Sequence, residues 1–167
     1  KGQTKITKKL IEYGADVNKK GLGITPLIMA VDYNNFEVVE TLLKNGAKIN
    51  IKDDFGREAI LYSRNYKMFS LLYQNNGDIY SIDKIGRNSI LNLVKSDIST
   101  IKFLIAKGIE INKPDKNRNT ALDYAEILNS NVYNYLKEHE GKHGTEGNAF
   151  ASFYPEKPSK DNATLYL

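Results

Sequence analysis

Five residues near the carboxyl end of the sequence have the types and spacing that zinc chemistry needs. The segment His139-Glu140-Gly141-Lys142-His143 fits a pattern in which two histidines one helical turn apart bind zinc and the glutamate acts as general base. The pattern needs a continuous helix, which a glycine inside it disfavours. A further ligand would have to be Glu146, Glu156 or Asp161. A zinc-dependent hydrolase is therefore kept only as a remote alternative.

The residue types give little support to other kinds of catalytic site. The sequence contains no cysteine, which excludes disulfides, thiolate zinc sites and cysteine nucleophiles. Both histidines lie within residues 139–143, which disfavours a Ser-His-Asp triad. The pair Asp53-Asp54 is typical of a turn, and we find no glycine-rich phosphate loop. The sequence thus predicts a protein that is not an enzyme and that holds no cofactor and no metal.

Composition and charge narrow the class of partner. Of the 167 residues, 41% are hydrophobic and 26% are charged, which is typical of a folded soluble protein. No apolar run reaches about 18 residues, so we predict no membrane partner. Residues 1–20 contain six lysines and two acidic residues and so carry the whole net charge of +4. One terminal patch indicates a solvated face more than a nucleic-acid interface.

One residue pattern recurs four times and indicates an internal repeat. Each copy has an apolar pair, a small residue, a polar residue and a branched apolar residue, which stands at positions 17, 49, 79 and 111, at spacings of 32, 30 and 32. Gly46 and Gly108 follow the apolar pairs, where a helix end favours a left-handed residue. The pairs predict a helix in each copy whose core residues include Leu42, Leu72 and Leu104.

A turn and a second helix start follow each copy. In Gly23-Ile24-Thr25-Pro26-Leu27, Thr25 fits a helix cap and Pro26 fits the first helical position. The unit is therefore turn, helix, short connection and helix, and it buries its apolar face only by stacking on neighbours. The second full repeat is about three residues shorter around residues 63–66, and we expect a tightened loop or a clipped helix there.

The repeat resembles the ankyrin family in its unit length and in the segments at residues 23–27, 37–39 and 46–50, which read Gly-x-Thr-Pro-Leu, Glu-Val-Val and Gly-Ala-x-Ile-Asn. The resemblance covers about residues 5–138. It implies an all-α fold, an α-solenoid of helix-turn-helix units joined by β-turn or hairpin loops. The family's histidine after Thr-Pro-Leu is Ile28 here, so the polar network that it supports must be absent or rebuilt.

These repeats divide the chain into a stack over residues 1–140 and a flexible tail over residues 141–167. The stack begins with a half repeat at residues 1–20, and further repeats begin near residues 21, 53, 83 and 115. Since the half repeat has only its second helix, we expect the parent protein to continue upstream. The apolar end of the tail could fold back, be captured by another domain or be disordered.

Candidate binding residues come from the turns and the first helix of each unit, because the resemblance implies that partners contact turn tips and the concave face of these inner helices. Leu22, Phe55 and Ile85 stand at successive turns, where stacking would align them into a ridge. The alternative is that each packs on the neighbouring turn. The variable positions on the inner helices are Met29, Asp32, Tyr33, Tyr62, Arg64, Asn92, Lys95 and Tyr124.

Taken together, these patterns predict a protein–protein interaction module that acts as an adaptor, scaffold or targeting unit. Its partner would be another protein, not nucleic acid or a membrane, and we expect a monomer in the cytoplasm. The sequence leaves open whether a signal segment precedes residue 1. A second hypothesis is that the chain is the repeat portion of a larger protein whose activity lies upstream.

Overall fold

The computed structural model describes residues 2–144, in which helices and turns alternate with the predicted period. The chain divides into two compact units, Lys1–Lys84 and Ile85–Leu167. Within the described residues the regular elements are helices, and one isolated antiparallel β-bridge pairs Gly21 with Ile24. The predicted all-α fold is confirmed.

The first unit contains four α-helices and one 3₁₀ helix. They are α1 (Gly2–Glu12), α2 (Pro26–Asp32), α3 (Phe36–Lys44), the 3₁₀ helix Ala59–Tyr62, and α4 (Tyr66–Gln74). Helix α2 packs on α3 and on the 3₁₀ helix, and α1 packs on α3. The four-residue 3₁₀ helix lies where the short repeat predicts a clipped helix.

In residues 85–144, the described part of the second unit, the same arrangement recurs with four α-helices. They are α5 (Ser89–Leu93), α6 (Ile98–Ala106), α7 (Ala121–Leu128) and α8 (Ser130–Glu138). Each inner helix packs on its own outer helix, α5 on α6 and α7 on α8, and like helices of successive repeats also pack together.

Apolar residues at helical spacing form the core of each unit, as predicted. Leu42, Leu72 and Leu104 are all buried, and Gly46 and Gly108 adopt the expected positive φ of 84° and 78°. Side chains cap most of the helices, among them Thr25, whose hydroxyl accepts a hydrogen bond from Ile28 N. No helix in residues 2–144 is long and apolar enough to span a bilayer.

Candidate functional site

The segment 139–143 is not a helical metal site but a fifth copy of the repeat turn. Helix α8 ends at Glu138 and His139 is its C-terminal cap. Glu140 has φ of 65°, as Gly46 has 84° after α3. The Gly141 N–H donates to Leu136 O at 2.8 Å, and in the earlier copy Ala47 N donates to Leu42 O at 3.0 Å. The helical face that a zinc protease needs is therefore absent from this segment.

Asparagine side chains fasten the turn in the same way in both units. In the first unit, Asn18 Nδ2 donates to Gly46 O at 3.1 Å and Asn18 Oδ1 accepts from Lys48 N at 2.7 Å. In the second unit, Asn112 Nδ2 donates to Glu140 O at 3.0 Å and Asn112 Oδ1 accepts from Lys142 N at 2.7 Å. Residues 140–142 thus occupy the place of residues 46–48 in a repeat turn.

The two histidines of this segment have separate partners. The His139 ring stacks on Tyr135 with ring centroids 3.9 Å apart, while His143 Nδ1 lies 2.7 Å from Asp123 Oδ1. Burial alone would raise the pKa of the Asp123 carboxyl, but hydrogen bonds from Thr120 N, Gly144 N and His143 hold that pKa below its ordinary value.

No group of three potential metal ligands occurs within residues 2–144. The other ligands considered from the sequence, Glu146, Glu156 and Asp161, lie outside the described residues, as does the predicted tail from residue 145 onward. Lys142 N donates a hydrogen bond to Asn112 Oδ1, and Gly144 N donates one to Asp123 Oδ2.

A buried aspartate builds the turn that displays Phe55. We call residues 53–57 the Asp53 turn. Asp53 is 4% exposed, and its Oδ1 accepts hydrogen bonds from Phe55 N at 2.9 Å and Arg57 N at 2.7 Å. Its Oδ2 accepts from the Tyr62 hydroxyl and from Arg57 Nε. Burial and the bond to Asp53 raise the pKa of Tyr62 above its ordinary value, so its phenol stays neutral.

Arg57 connects the aromatic residues of this turn. Its guanidinium carbon lies 4.8 Å from the Phe55 ring centroid and 4.5 Å from that of Tyr62, both within cation–π range. An ion pair with Asp53 at 3.2 Å fixes its direction. Phe55 keeps 63% of its surface exposed. The sequence interpretation missed Arg57, although its position two residues after Phe55 could have suggested a shared turn.

Residues 21–24, the Leu22 turn, display a side chain that packs on nothing. Leu22 is fully exposed, at 101%, and has φ of 52°, a left-handed conformation that costs about 1–2 kcal/mol in a residue with a Cβ. Gly23 O accepts a hydrogen bond from Asp54 N at 3.2 Å, and Lys20 pairs with Asp54 at 3.8 Å. Backbone pairing therefore fixes the Leu22 turn against the Asp53 turn.

The remaining predicted residues divide between exposed and bonded side chains. Met29 on α2 is 42% exposed, and Tyr33, the C-terminal cap of α2, is 77% exposed. Arg64 pairs with Asp32 at 2.7 Å, so these two residues join α2 to the connection before α4. Tyr62 supports its turn, which is a structural role that the sequence did not predict for it.

In the second unit, Ile85 is 41% exposed and Lys95 is exposed. Asn92 Nδ2 lies 3.2 Å from both Arg87 O and Asn88 O. The Tyr124 hydroxyl donates to Asp115 Oδ2 at 2.7 Å, the same structural role as Tyr62. These hydrogen bonds were not predicted from the sequence, and the binding role of these residues stays a prediction.

Comparison with known proteins finds ankyrin repeats in a family model and in viral relatives. Residues 1–53 match a family model that is described as ankyrin repeats (3 copies). An ankyrin repeat protein of fowlpox virus is 34% identical over 126 residues, which is 72% of this chain and 22% of that protein. An ankyrin repeat protein of Acanthamoeba polyphaga mimivirus is 32% identical over 108 residues, which is 65% of this chain and 34% of that protein.

A cellular protein shows a similar likeness. The nuclear factor NF-kappa-B p105 subunit of Gallus gallus is 33% identical over 135 residues, which is 72% of this chain and 14% of that subunit. The chain thus spans about a third or less of each of these three relatives.

Proposed function

This chain belongs to the ankyrin-repeat family, whose repeats are protein-interaction modules, and on that premise we propose that it binds a partner protein through the Leu22 and Asp53 turns. Repeat proteins use such extended surfaces to bind other proteins. The single observation that carries the proposal is Leu22, which is fully exposed in a left-handed backbone conformation. Neither core packing nor local backbone preference accounts for a leucine there.

The Asp53 turn supplies the second anchor of this surface. Phe55 is exposed, while Arg57 is held between two aromatic rings and a buried carboxylate. Aromatic residues and arginine are enriched among residues that dominate binding energy. Since the turn is already fixed by hydrogen bonds, a partner would pay little of the usual ordering entropy.

The other predicted contacts extend the proposal. Met29 on α2 and Tyr33 at its C-terminal cap add exposed apolar area, and Ile85 is a similar exposed side chain in the second unit. We propose that the chain acts by binding and not by catalysis, as an adaptor or scaffold, and as a cytoplasmic monomer. The absence of cysteine supports a reducing compartment, and the interpretation of residues 139–143 as a repeat turn removes the main argument for zinc chemistry.

Affinity capture from native lysate with residues 1–167 tests this proposal. The test variant is Leu22→Ser with Phe55→Ser, and the matched control is Tyr13→Ser, because Tyr13 is also exposed, at 86%. We expect wild type and control to capture the same protein and the double variant to lose it, with all three showing the same circular dichroism spectrum. Equal capture by a folded double variant would show that these turns are not the binding surface.

A further inference from the structure

Two Asn-Gly pairs, Asn45-Gly46 and Asn76-Gly77, lie in turns that follow outer helices of the first unit. Asparagine followed by glycine is the sequence most prone to deamidation, because glycine has no Cβ to hinder the approach of its amide nitrogen to the asparagine side chain. Asparagine is also among the residues that make a protein chemically labile on heating. The surroundings of each pair in the folded chain then determine which of the two reacts.

The reaction needs only the chain and water. The backbone nitrogen of the glycine attacks Cγ of the asparagine, the Cγ–Nδ2 bond breaks, and ammonia leaves with the proton of the glycine N–H. A succinimide ring remains, and water opens it at either carbonyl to give aspartate or isoaspartate. Since no oxidant or cofactor takes part, the rate depends on access to the glycine nitrogen and on room for the ring.

The two pairs occupy positions of the repeat turn that differ by one residue. Asn45 and Asn75 are the C-terminal caps of α3 and α4, and each donates its Nδ2 to the carbonyl four residues earlier at 2.8 Å. Gly46 and Asn76 follow these caps with φ of 84° and 66°. The reacting nitrogen therefore belongs to the first residue after the cap in one pair and to the second residue in the other.

The reacting nitrogen of Gly46 lies at the surface. Asn45 and Gly46 are both exposed, and the place that a Cβ on Gly46 would take has no neighbouring atom within 4 Å. Gly46 N donates to Leu43 O at 3.1 Å, a bond at the end of a helix, where local opening costs little free energy. The ring can form there once this bond and the bond from Asn45 Nδ2 to Thr41 O open.

The reacting nitrogen of Gly77 is held against the core. Gly77 is buried, and its N–H donates to Leu72 O at 2.9 Å. A Cβ on this glycine would lie 3.0 Å from both Ile60 Cδ1 and Leu72 O. Asn76 itself is exposed, so the two pairs differ at the glycine and not at the asparagine. Ring closure at Gly77 would require its packing against Ile60 to open.

We propose that Asn45 is a site of spontaneous deamidation in the folded chain and that Asn76 is protected. This inference goes beyond the proposed binding function and does not depend on it. Either product loses the hydrogen bond that Asn45 Nδ2 donates. Either product also places a negative charge at the C-terminal end of α3, where the helix dipole disfavours it.

The isoaspartate product also affects the hydrogen bonds between successive turns. Asn18 Nδ2 donates to Gly46 O, and Asn18 Oδ1 accepts from Lys48 N. Isoaspartate at position 45 lengthens the main chain by one carbon directly before these two groups. The modification should therefore open the turn at residues 46–48 while the helices of the unit stay folded.

Ageing of the folded and the denatured chain tests the proposal. Residues 1–167 are incubated in mildly alkaline buffer with and without guanidinium chloride, and peptide mapping by mass spectrometry measures conversion at each asparagine. In denaturant the two pairs should react at similar rates, because both are Asn-Gly. In buffer alone Asn45 should react at least about tenfold faster than Asn76, since its glycine needs only local opening. Equal rates in buffer, or no reaction of Asn45 there, would overturn the proposal.

A matched variant moves the second pair by one position. Asn76→Gly removes the buried pair and places a glycine directly after Asn75, which is the arrangement of Asn45-Gly46. Glycine adopts the positive φ of this position without strain, so the fold should persist. Asn75 should then deamidate in the folded chain within about threefold of the rate of Asn45. A variant in which Asn75 does not react would show that position in the turn does not control the reaction.

Hydrogen exchange in the aged chain tests the structural consequence. The Lys48 N–H, which Asn18 binds, should exchange at least about tenfold faster in the isoaspartate fraction than in the fresh chain. The Lys142 N–H, which Asn112 binds in the same way, is the control and should keep its exchange rate. Unchanged exchange at Lys48 in the isoaspartate fraction would contradict the predicted opening of the turn.

Discussion

Two turns, one in each unit, have the same construction and display different side chains. In the Asp53 turn, Asp53 N donates to Arg57 O at 2.8 Å, and in residues 115–119, the Asp115 turn, Asp115 N donates to Asn119 O at 2.9 Å. Asp115 Oδ1 accepts from Asn117 N and Asn119 N, as Asp53 Oδ1 does from the equivalent residues. In each turn a tyrosine hydroxyl binds the second carboxylate oxygen.

What differs between these turns is what they present and how the next helix begins. The first exposes Phe55 and part of Arg57, whereas the second exposes Asn117 and buries Asn119. After the second turn, Asp123 and Thr120 form a capping box, whereas Glu58 makes no capping hydrogen bond at the equivalent position. The two turns therefore share a buried aspartate and a tyrosine that hold the backbone, and they differ in the side chains around this frame.

The largest effect should come from removing either aspartate. Asp53→Ala and Asp115→Ala each leave backbone N–H groups and a tyrosine hydroxyl without their acceptor, and we expect a loss of about 2–4 kcal/mol in the free energy of unfolding. Urea denaturation followed by circular dichroism measures it. Asp54→Ala is the control, because the Asp54 side chain is 71% exposed and should matter by less than about 0.5 kcal/mol. A large loss of unfolding free energy in only one of the two alanine variants would show that the two turns are not held in the same way.

Removing one tyrosine hydroxyl should cost less, about 1 kcal/mol for Tyr62→Phe and for Tyr124→Phe. Burial and the aspartate bond raise the pKa of both phenols above the ordinary value of about 10. The folded state therefore keeps protons that the unfolded state loses, so wild-type stability should fall as pH rises above about 10.

Thermal melts between pH 8 and 11 measure this dependence. The fall should be shallower in each phenylalanine variant, because the variant lacks one of the shifted groups. Parallel curves for wild type and both variants would contradict the assigned hydrogen bonds.

The repeat spacing predicted the positions of helices, core residues and turns, because periodic burial requires apolar residues at regular intervals in the sequence. The contacts of Tyr62 and Tyr124 were not predictable in the same way. Each hydroxyl reaches an aspartate nine residues earlier, across a turn whose conformation the residue types alone do not specify. Tyrosine at an inner-helix position therefore suggests a binding residue and a structural one equally well.

Replacement of Glu58 should have a smaller effect and should raise the free energy of unfolding. Its carboxylate is buried, and Oε2 has no hydrogen-bond partner within the described residues. Burial raises the pKa of Glu58, although Ser81 and Lys52 act against that shift. Glu58→Thr, which copies Thr120, should therefore stabilise the chain by about 1 kcal/mol at pH 7.

The pH dependence of Glu58→Gln gives a sharper test. Because the folded pKa is raised, the glutamate costs stability only as pH rises through that value, so the gain from glutamine should be present at pH 7 and vanish near pH 4. Chemical denaturation at both pH values measures the gain, with Glu126→Gln as the exposed control. A gain that is the same at both pH values would rule out the buried charge as its cause.

The segment 139–143 shows how a repeat can hide in the sequence. His143 stands 32 residues after Ile111, the spacing of earlier copies, but glutamate replaces the turn glycine and histidine replaces the branched residue. Together with His139, those two substitutions create the His-Glu-x-x-His pattern and remove the apolar signal that marks the other copies. The sequence interpretation stopped at the fourth copy and missed this turn, which backbone hydrogen bonds maintain despite the changed side chains.

The most direct test of the proposed binding surface replaces side chains of the Asp53 turn by those of the Asp115 turn. Phe55→Asn with Arg57→Asn gives the Asp53 turn the side chains of the Asp115 turn and leaves Asp53 and Tyr62 in place. Isothermal titration against the protein captured from lysate should show affinity reduced at least about thirtyfold, the effect of losing a hot-spot residue. The unfolding free energy should fall by about 1–3 kcal/mol, because the variant also removes the Arg57 hydrogen bond to the buried Asp53 carboxylate. Unchanged affinity in the folded variant would contradict the claim that this turn binds the partner.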